Sequence, residues 1–151
     1  MNKYSITCIL YFFILSIHGQ KGNVIIQINN ELLTSGMLQP KVKPVNSSFS
    51  YYAEYDSGIL TISDKAWEEI EKDSIGKFSL GFQYRTCEKD KSNIAFFEIE
   101  LSRQLLNQPY LIINIYDFRN RKYRRWYGPH TEKNYLVEFK YPGSPVFVRY
   151  K

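Results

Sequence analysis

Hydrophobic and polar residues alternate along most of this chain with a period of two. The clearest run covers 78–86: Phe78, Leu80, Phe82 and Tyr84 fall on one side, and Ser79, Gly81, Gln83 and Arg85 on the other. Such alternation predicts a strand with one buried and one wet face. A polar loop over 87–93 follows. Then Ala95, Phe97, Ile99 and Leu101 point inward, with Glu98 and Glu100 on the opposite side. A further alternating run, 49–55, is followed by the turn Asp56-Ser57-Gly58 and by Ile59-Leu60-Thr61-Ile62 as its partner strand, which predicts a hairpin. Val24 to Ile28 reads as a short strand ahead of a polar turn at Asn29-Asn30-Glu31. Near the end, 135–141 and 146–150 predict two strands joined by Pro142-Gly143-Ser144-Pro145. The segment 32–44 contains Pro40 and Pro44, which argue against a helix interior or a central strand, so it reads as an extended edge or linker.

The stretch 109–128 looks like the centre of the pattern. A β-branched and aromatic run, Leu111-Ile-Ile-Asn-Ile-Tyr-Asp-Phe118, is followed by a polar break and then by Tyr123-Arg-Arg-Trp-Tyr127. This predicts a β-hairpin with Asn120-Arg121 as its loop. That register sets Asp117 opposite Arg124 and Ile115 opposite Trp126. It puts Leu111, Ile113, Ile115 and Trp126 on the core face. The other face carries Tyr116, Phe118, Tyr123, Arg125 and Tyr127, an aromatic and basic surface.

Helical periodicity is confined to a few places. Ser63 or Asp64 is placed to cap a short helix near 64–72, where Trp67 and Ile70 share a face and Glu68, Glu69 and Glu71 stay in water. Residues 102–106 suit a single helical turn. About eight or nine short strands at hairpin spacing, with one short helix, predict an all-β fold. The expected form is an antiparallel β-sandwich, in general shape like an immunoglobulin or transthyretin domain. The alternative is an α+β sheet packed by the one helix.

Composition supports strands: aromatic residues make up 17% of the chain, with 13 Tyr and 10 Phe. At the N-terminus, Lys3 followed by an apolar run over 4–17 predicts an export signal over 1–19, with the mature chain starting at Gln20. Residues 20–151 then form one domain, located in the periplasm or outside the cell, with no membrane-spanning segment. The charge is unevenly placed. Residues 20–118 hold 10 basic and 13 acidic side chains, whereas 119–151 hold 9 basic and 2 acidic, a net of +7. A basic C-terminal segment on a mildly acidic body suits an anionic polysaccharide or an acidic protein. No motif specific for nucleic acid is present.

Recognisable catalytic chemistry is scarce. Beyond the leader there is one cysteine, Cys87, and one histidine, His130, too few for an internal disulfide or a His/Cys zinc site. Neither a glycine-rich phosphate loop nor a Gly-x-Ser-x-Gly elbow occurs, and no cofactor is implied. Glu98 and Glu100, two apart on one strand face, lie roughly 6.5–7 Å apart by strand rise. That spacing is compatible with an inverting glycosidase, giving a small hydrolase as one alternative function. A subunit that assembles through its edge strands is another. The leading expectation is an exported, non-enzymatic binding module. Its candidate site is Tyr116, Phe118, Arg119, Arg121, Lys122, Tyr123, Arg125 and Tyr127, because aromatic rings stack on sugar faces while Arg and Lys hold anions.

Overall fold

The computed structural model describes residues 19–35, 37–88, 91–127 and 133–145. The predicted leader, apart from Gly19, lies outside these residues. So do His130 and the strand expected over 146–150. Nine strands are described: β1 (Gly19–Ile28), β2 (Glu31–Leu32), β3 (Met37–Pro44), β4 (Tyr51–Asp56), β5 (Ile59–Ser63), β6 (Lys77–Glu88), β7 (Lys91–Ser102), β8 (Leu111–Asp117) and β9 (Tyr135–Lys140). Three short helices interrupt them: α1 (Asp64–Glu71), α2 (Arg103–Leu106) and α3 (Arg121–Tyr127).

All nine strands join one sheet in the order β7-β6-β3-β4-β5-β1-β8-β9, with β2 added to β1. The sheet curls until it is nearly closed into a barrel. The two separate sheets expected of a sandwich are not seen as such, because hydrogen bonding runs without a break from β7 to β9. Pairing is also not wholly antiparallel: β1 and β8 run parallel, with Val24 beside Leu111 and Ile28 beside Ile115.

The inward positions are those that the alternation marks. Phe78, Leu80 and Phe82 of β6, Phe97 and Ile99 of β7, and Leu111, Ile113 and Ile115 of β8 are all buried. Val24 and Ile26 of β1 and Leu60 and Ile62 of β5 complete the ring. At one end of the barrel α1 adds Ala66 and Ile70 to this core, and α2 adds Leu106. Phe97 packs tilted against Phe82 and edge-on against Tyr135, with centroids 5.6 and 5.1 Å apart.

The gap between the outermost strands is bridged by side chains. The Tyr135 hydroxyl on β9 donates to the Glu98 carbonyl on β7 (2.7 Å) and accepts from the Glu98 N–H (2.9 Å). Lys133 Nζ donates to the same carbonyl (3.3 Å). These bonds occupy backbone groups that an edge strand otherwise leaves open.

Local chemistry explains most element boundaries. Asn29 and Asn30 both take positive φ (56° and 68°), as do Ser57 (44°) and Gly58 (101°). Each pair makes the two-residue turn that suits a tight hairpin. Ser63 precedes α1 and Ser102 caps α2, its hydroxyl accepting from Leu105 N. The β6–β7 hairpin is longer than the sequence suggests, because backbone pairing continues to Glu88 and Lys91 through Cys87 and Ser92.

Two further expectations need correction. Segment 37–44 is an interior strand, with β6 on one side and β4 on the other. Its pairing with β6 slips by one residue between Leu38 and Lys41, where Gln39 takes a φ of 49°. This bulge holds Pro40, so its missing N–H falls where the ladder is already broken.

The second correction concerns 109–128, which is a strand and a helix rather than a hairpin. β8 finds its partners elsewhere, in β1 and β9, and the chain turns at Asp117 to Asn120 into α3. Trp126 is therefore 51% exposed and takes no part in the barrel core. Asp117 pairs with Arg119 rather than with Arg124.

Candidate functional site

The end of the barrel opposite α1 and α2 is built by the turn after β8. The Asp117 carboxylate accepts from Arg119 N at 3.0 Å and from the Arg119 guanidinium, closing the chain direction over two residues. Asn120 then caps α3: its side-chain oxygen accepts from Lys122 N (3.0 Å), and its carbonyl accepts from Arg124 N (3.0 Å).

One helical turn later, Tyr123 anchors α3 to the β1–β2 turn. Its hydroxyl donates to the Asn29 carbonyl (2.8 Å) and accepts from Asn30 Nδ2 (2.9 Å). The Asn29 side chain in turn accepts from Asp117 N (2.9 Å).

This arrangement sorts the predicted site residues into two groups. Tyr116, Phe118 and Tyr123 are buried together, with Tyr127 and Leu136 packed against them. The Tyr116 ring stacks between Tyr123 and Tyr127, at centroid distances of 5.4 and 4.7 Å. These aromatics form a small second core rather than an open stacking surface.

Arg119, Arg121, Lys122 and Arg125 remain exposed, as does Arg124. Lys122 lies 4.9 Å from the Trp126 ring and 5.5 Å from the Tyr123 ring, so the exposed indole is paired with a cation. Among the described residues, no carboxylate forms an ion pair with Arg121, Lys122, Arg124 or Arg125.

Beside α3, the outer face of β8 and β9 carries features that the pattern of the chain does not reveal. Ile112, Asn114 and Tyr116 stand opposite Lys140, Glu138 and Leu136. A groove of about 640 Å³ runs along this face from Tyr116 and Tyr127 to Tyr110 and Tyr141.

Glu138 lies in the middle of the groove. It accepts from the Tyr116 hydroxyl (2.9 Å) and, at 3.4 Å, from the Asn114 amide nitrogen, and Lys140 lies 3.9 Å away. Burial first, and then the bond to Glu138, push the Tyr116 phenol well above its ordinary pKa. Asn114 is only 2% exposed, and its amide oxygen has no partner. An unpaired buried acceptor of this kind costs about 1–3 kcal/mol. The one signal in the sequence is Asn114 itself, a lone amide inside an apolar run.

Glu98 and Glu100 lie on the outer face of β7 and line a separate groove of about 450 Å³ with Lys43 and Lys77. Among the described residues, no group of three or more His, Cys, Asp or Glu side chains could hold a metal ion. No described helix is long and apolar enough to cross a membrane. Compared with known protein families, curated proteins and solved structures, the chain matches none of them.

Proposed function

We propose that this protein is an exported, non-catalytic binding module that holds an anionic polysaccharide on α3. The observation that carries this reading is the exposed cationic surface of Arg121, Lys122, Arg124 and Arg125 around Trp126. Helix stability does not account for it. Arg121 and Lys122 occupy the first turn, where the helix dipole disfavours positive charge, and no acid stands there to offset them. A local conflict of this kind is expected where a surface serves a ligand. The indole and the guanidinium groups offer a polysaccharide both stacking and charge-assisted hydrogen bonds. Export rests on the basic and apolar leader over 1–19.

The groove at Glu98 and Glu100 gives less support to a hydrolase. A carboxyl that acts as a general acid at neutral pH needs burial or a second carboxylate pressed against it. Both glutamates are exposed on an edge strand, with lysines in the same groove. Assembly through strand edges is supported less as well, because Tyr135 and Lys133 already occupy Glu98 of β7.

Calorimetric titration with a sulfated and a carboxylated polysaccharide tests the binding reading. Affinity is expected to fall steeply from low to physiological salt, because exposed charges are screened over about 8–10 Å. Replacing Arg121, Lys122 and Arg125 with Ser is expected to weaken binding at least tenfold. Replacing the exposed Lys21, Lys65 and Arg85 removes the same charge from elsewhere. Equal losses in the two triple variants would show a generally basic protein with no site on α3.

A further inference from the structure

The tyrosine-walled groove differs in chemistry from the α3 surface that it adjoins. Its charged groups, Glu138 and Lys140, oppose one another at 3.9 Å, so it has little net attraction for an anion. Its walls are phenol rings: Tyr110 and Tyr141 at one end, Tyr116 and Tyr127 at the other. The volume of about 640 Å³ is that of a small-molecule site. From Ile112 to Tyr116 the floor extends about 13 Å along β8, enough for more than one ring of a chain-like ligand.

Asn114 lies behind the lining, next to Glu138, to which its amide nitrogen donates at 3.4 Å. Glu138 is an acceptor only, and the Asn114 amide oxygen is buried without a partner. Turning the Asn114 amide over does not help, since its oxygen would then face the Glu138 carboxylate.

We infer that this groove binds an uncharged, hydroxyl-rich pyranose unit. One face of a pyranose carries C–H groups that can stack on Tyr110 and Tyr141, the Tyr116 ring being covered on both faces by Tyr123 and Tyr127, and its edge carries several O–H donors. Glu138 can accept from two neighbouring hydroxyls at once, and Lys140 can donate to a third oxygen. The inference deepens the polysaccharide reading: α3 holds the charged part of the chain, and the groove selects the neutral sugar beside it. The groove chemistry stands whether or not α3 binds.

The test is an NMR titration of the ¹⁵N-labelled secreted protein with glucose, galactose, mannose and N-acetylglucosamine at millimolar concentrations. It is run at low and at high salt. At least one sugar is expected to shift the Asn114, Glu138 and Lys140 amides, with an affinity that salt leaves unchanged. Tyr110→Ala, at a site 44% exposed and so tolerant of truncation, is expected to weaken that binding at least fivefold. Glu138→Gln is expected to weaken it at least tenfold. The triple Ser variant of α3 is expected to retain it. No groove shift with any of the four sugars overturns the inference, as does binding that salt or the α3 variant abolishes. Groove binding without any polysaccharide binding at α3 would overturn the proposed function and leave this inference standing.

Discussion

Tyr116 has three roles at once. Its ring is the middle member of the Tyr123–Tyr116–Tyr127 stack, its hydroxyl donates to Glu138, and it forms part of the groove wall. Burial and the neighbouring carboxylate both favour the neutral phenol, so its pKa in the folded state lies above the unfolded value of about 10. The sign follows by linkage: this stabilisation is complete below pH 10 and is lost as pH rises further, when the unfolded chain gives up its proton first. Tyr55 has a raised pKa too, mainly through burial, so the wild-type slope alone does not isolate Tyr116. The comparison that does is urea unfolding of wild type and Tyr116→Phe from pH 8 to pH 11. Wild type is expected to lose stability faster than the variant above pH 10. Parallel curves would mean that the phenol is not held neutral by its surroundings.

At the scale of elements, α3 depends on few contacts. Seven residues are too few for a helix to be stable on its own, so α3 relies on its cap and on Tyr123. Asn120→Ala is expected to cost about 0.5–2 kcal/mol in urea unfolding and to speed amide exchange in α3. Unchanged exchange would show that Tyr123 alone holds the helix. How far each element was legible follows from its surroundings. β4 to β7 could be read directly, because each has one buried and one wet face and the alternation records it. α3 was obscured because its aromatic residues, following the β-branched run of β8, favour a strand. The helical spacing was present all the same, in Tyr123 with Tyr127 and in Lys122 with Trp126. What decided between them was tertiary: β8 was already flanked by β1 and β9, which left no edge for a second hairpin strand. β3 was obscured by Pro40, whose effect the bulge at Gln39 absorbs. The basic half of the candidate site was visible as a charge imbalance. The groove was not, because it is assembled from β8, β9, α3 and the 141–145 turn, and no local pattern records such a meeting.

For the whole molecule, the curl of the sheet brings its two outermost strands within reach of one side chain. Tyr135→Phe removes both hydroxyl bonds to Glu98 while leaving the ring against Phe97. The Glu98 amide is expected to exchange at least tenfold faster in that variant, with the interior strands β4 and β5 unaffected. Equal exchange would show that packing, not the hydroxyl, holds the gap shut. A different consequence follows from the place of β1. It is the earliest of the described strands, yet it lies inside the sheet, with β5 on one side and β8 on the other. A chain that crosses a membrane or leaves a ribosome N-terminus first presents Val24-Ile25-Ile26 long before Leu111 to Ile115 exist to pair with it. The β4–β5 and β6–β7 hairpins can close as they emerge, since their contacts are local. The parallel pair cannot, and its long loop must close late. Until then the newborn chain carries an unpaired apolar edge, so its hazardous interval is set by the time taken to deliver β8.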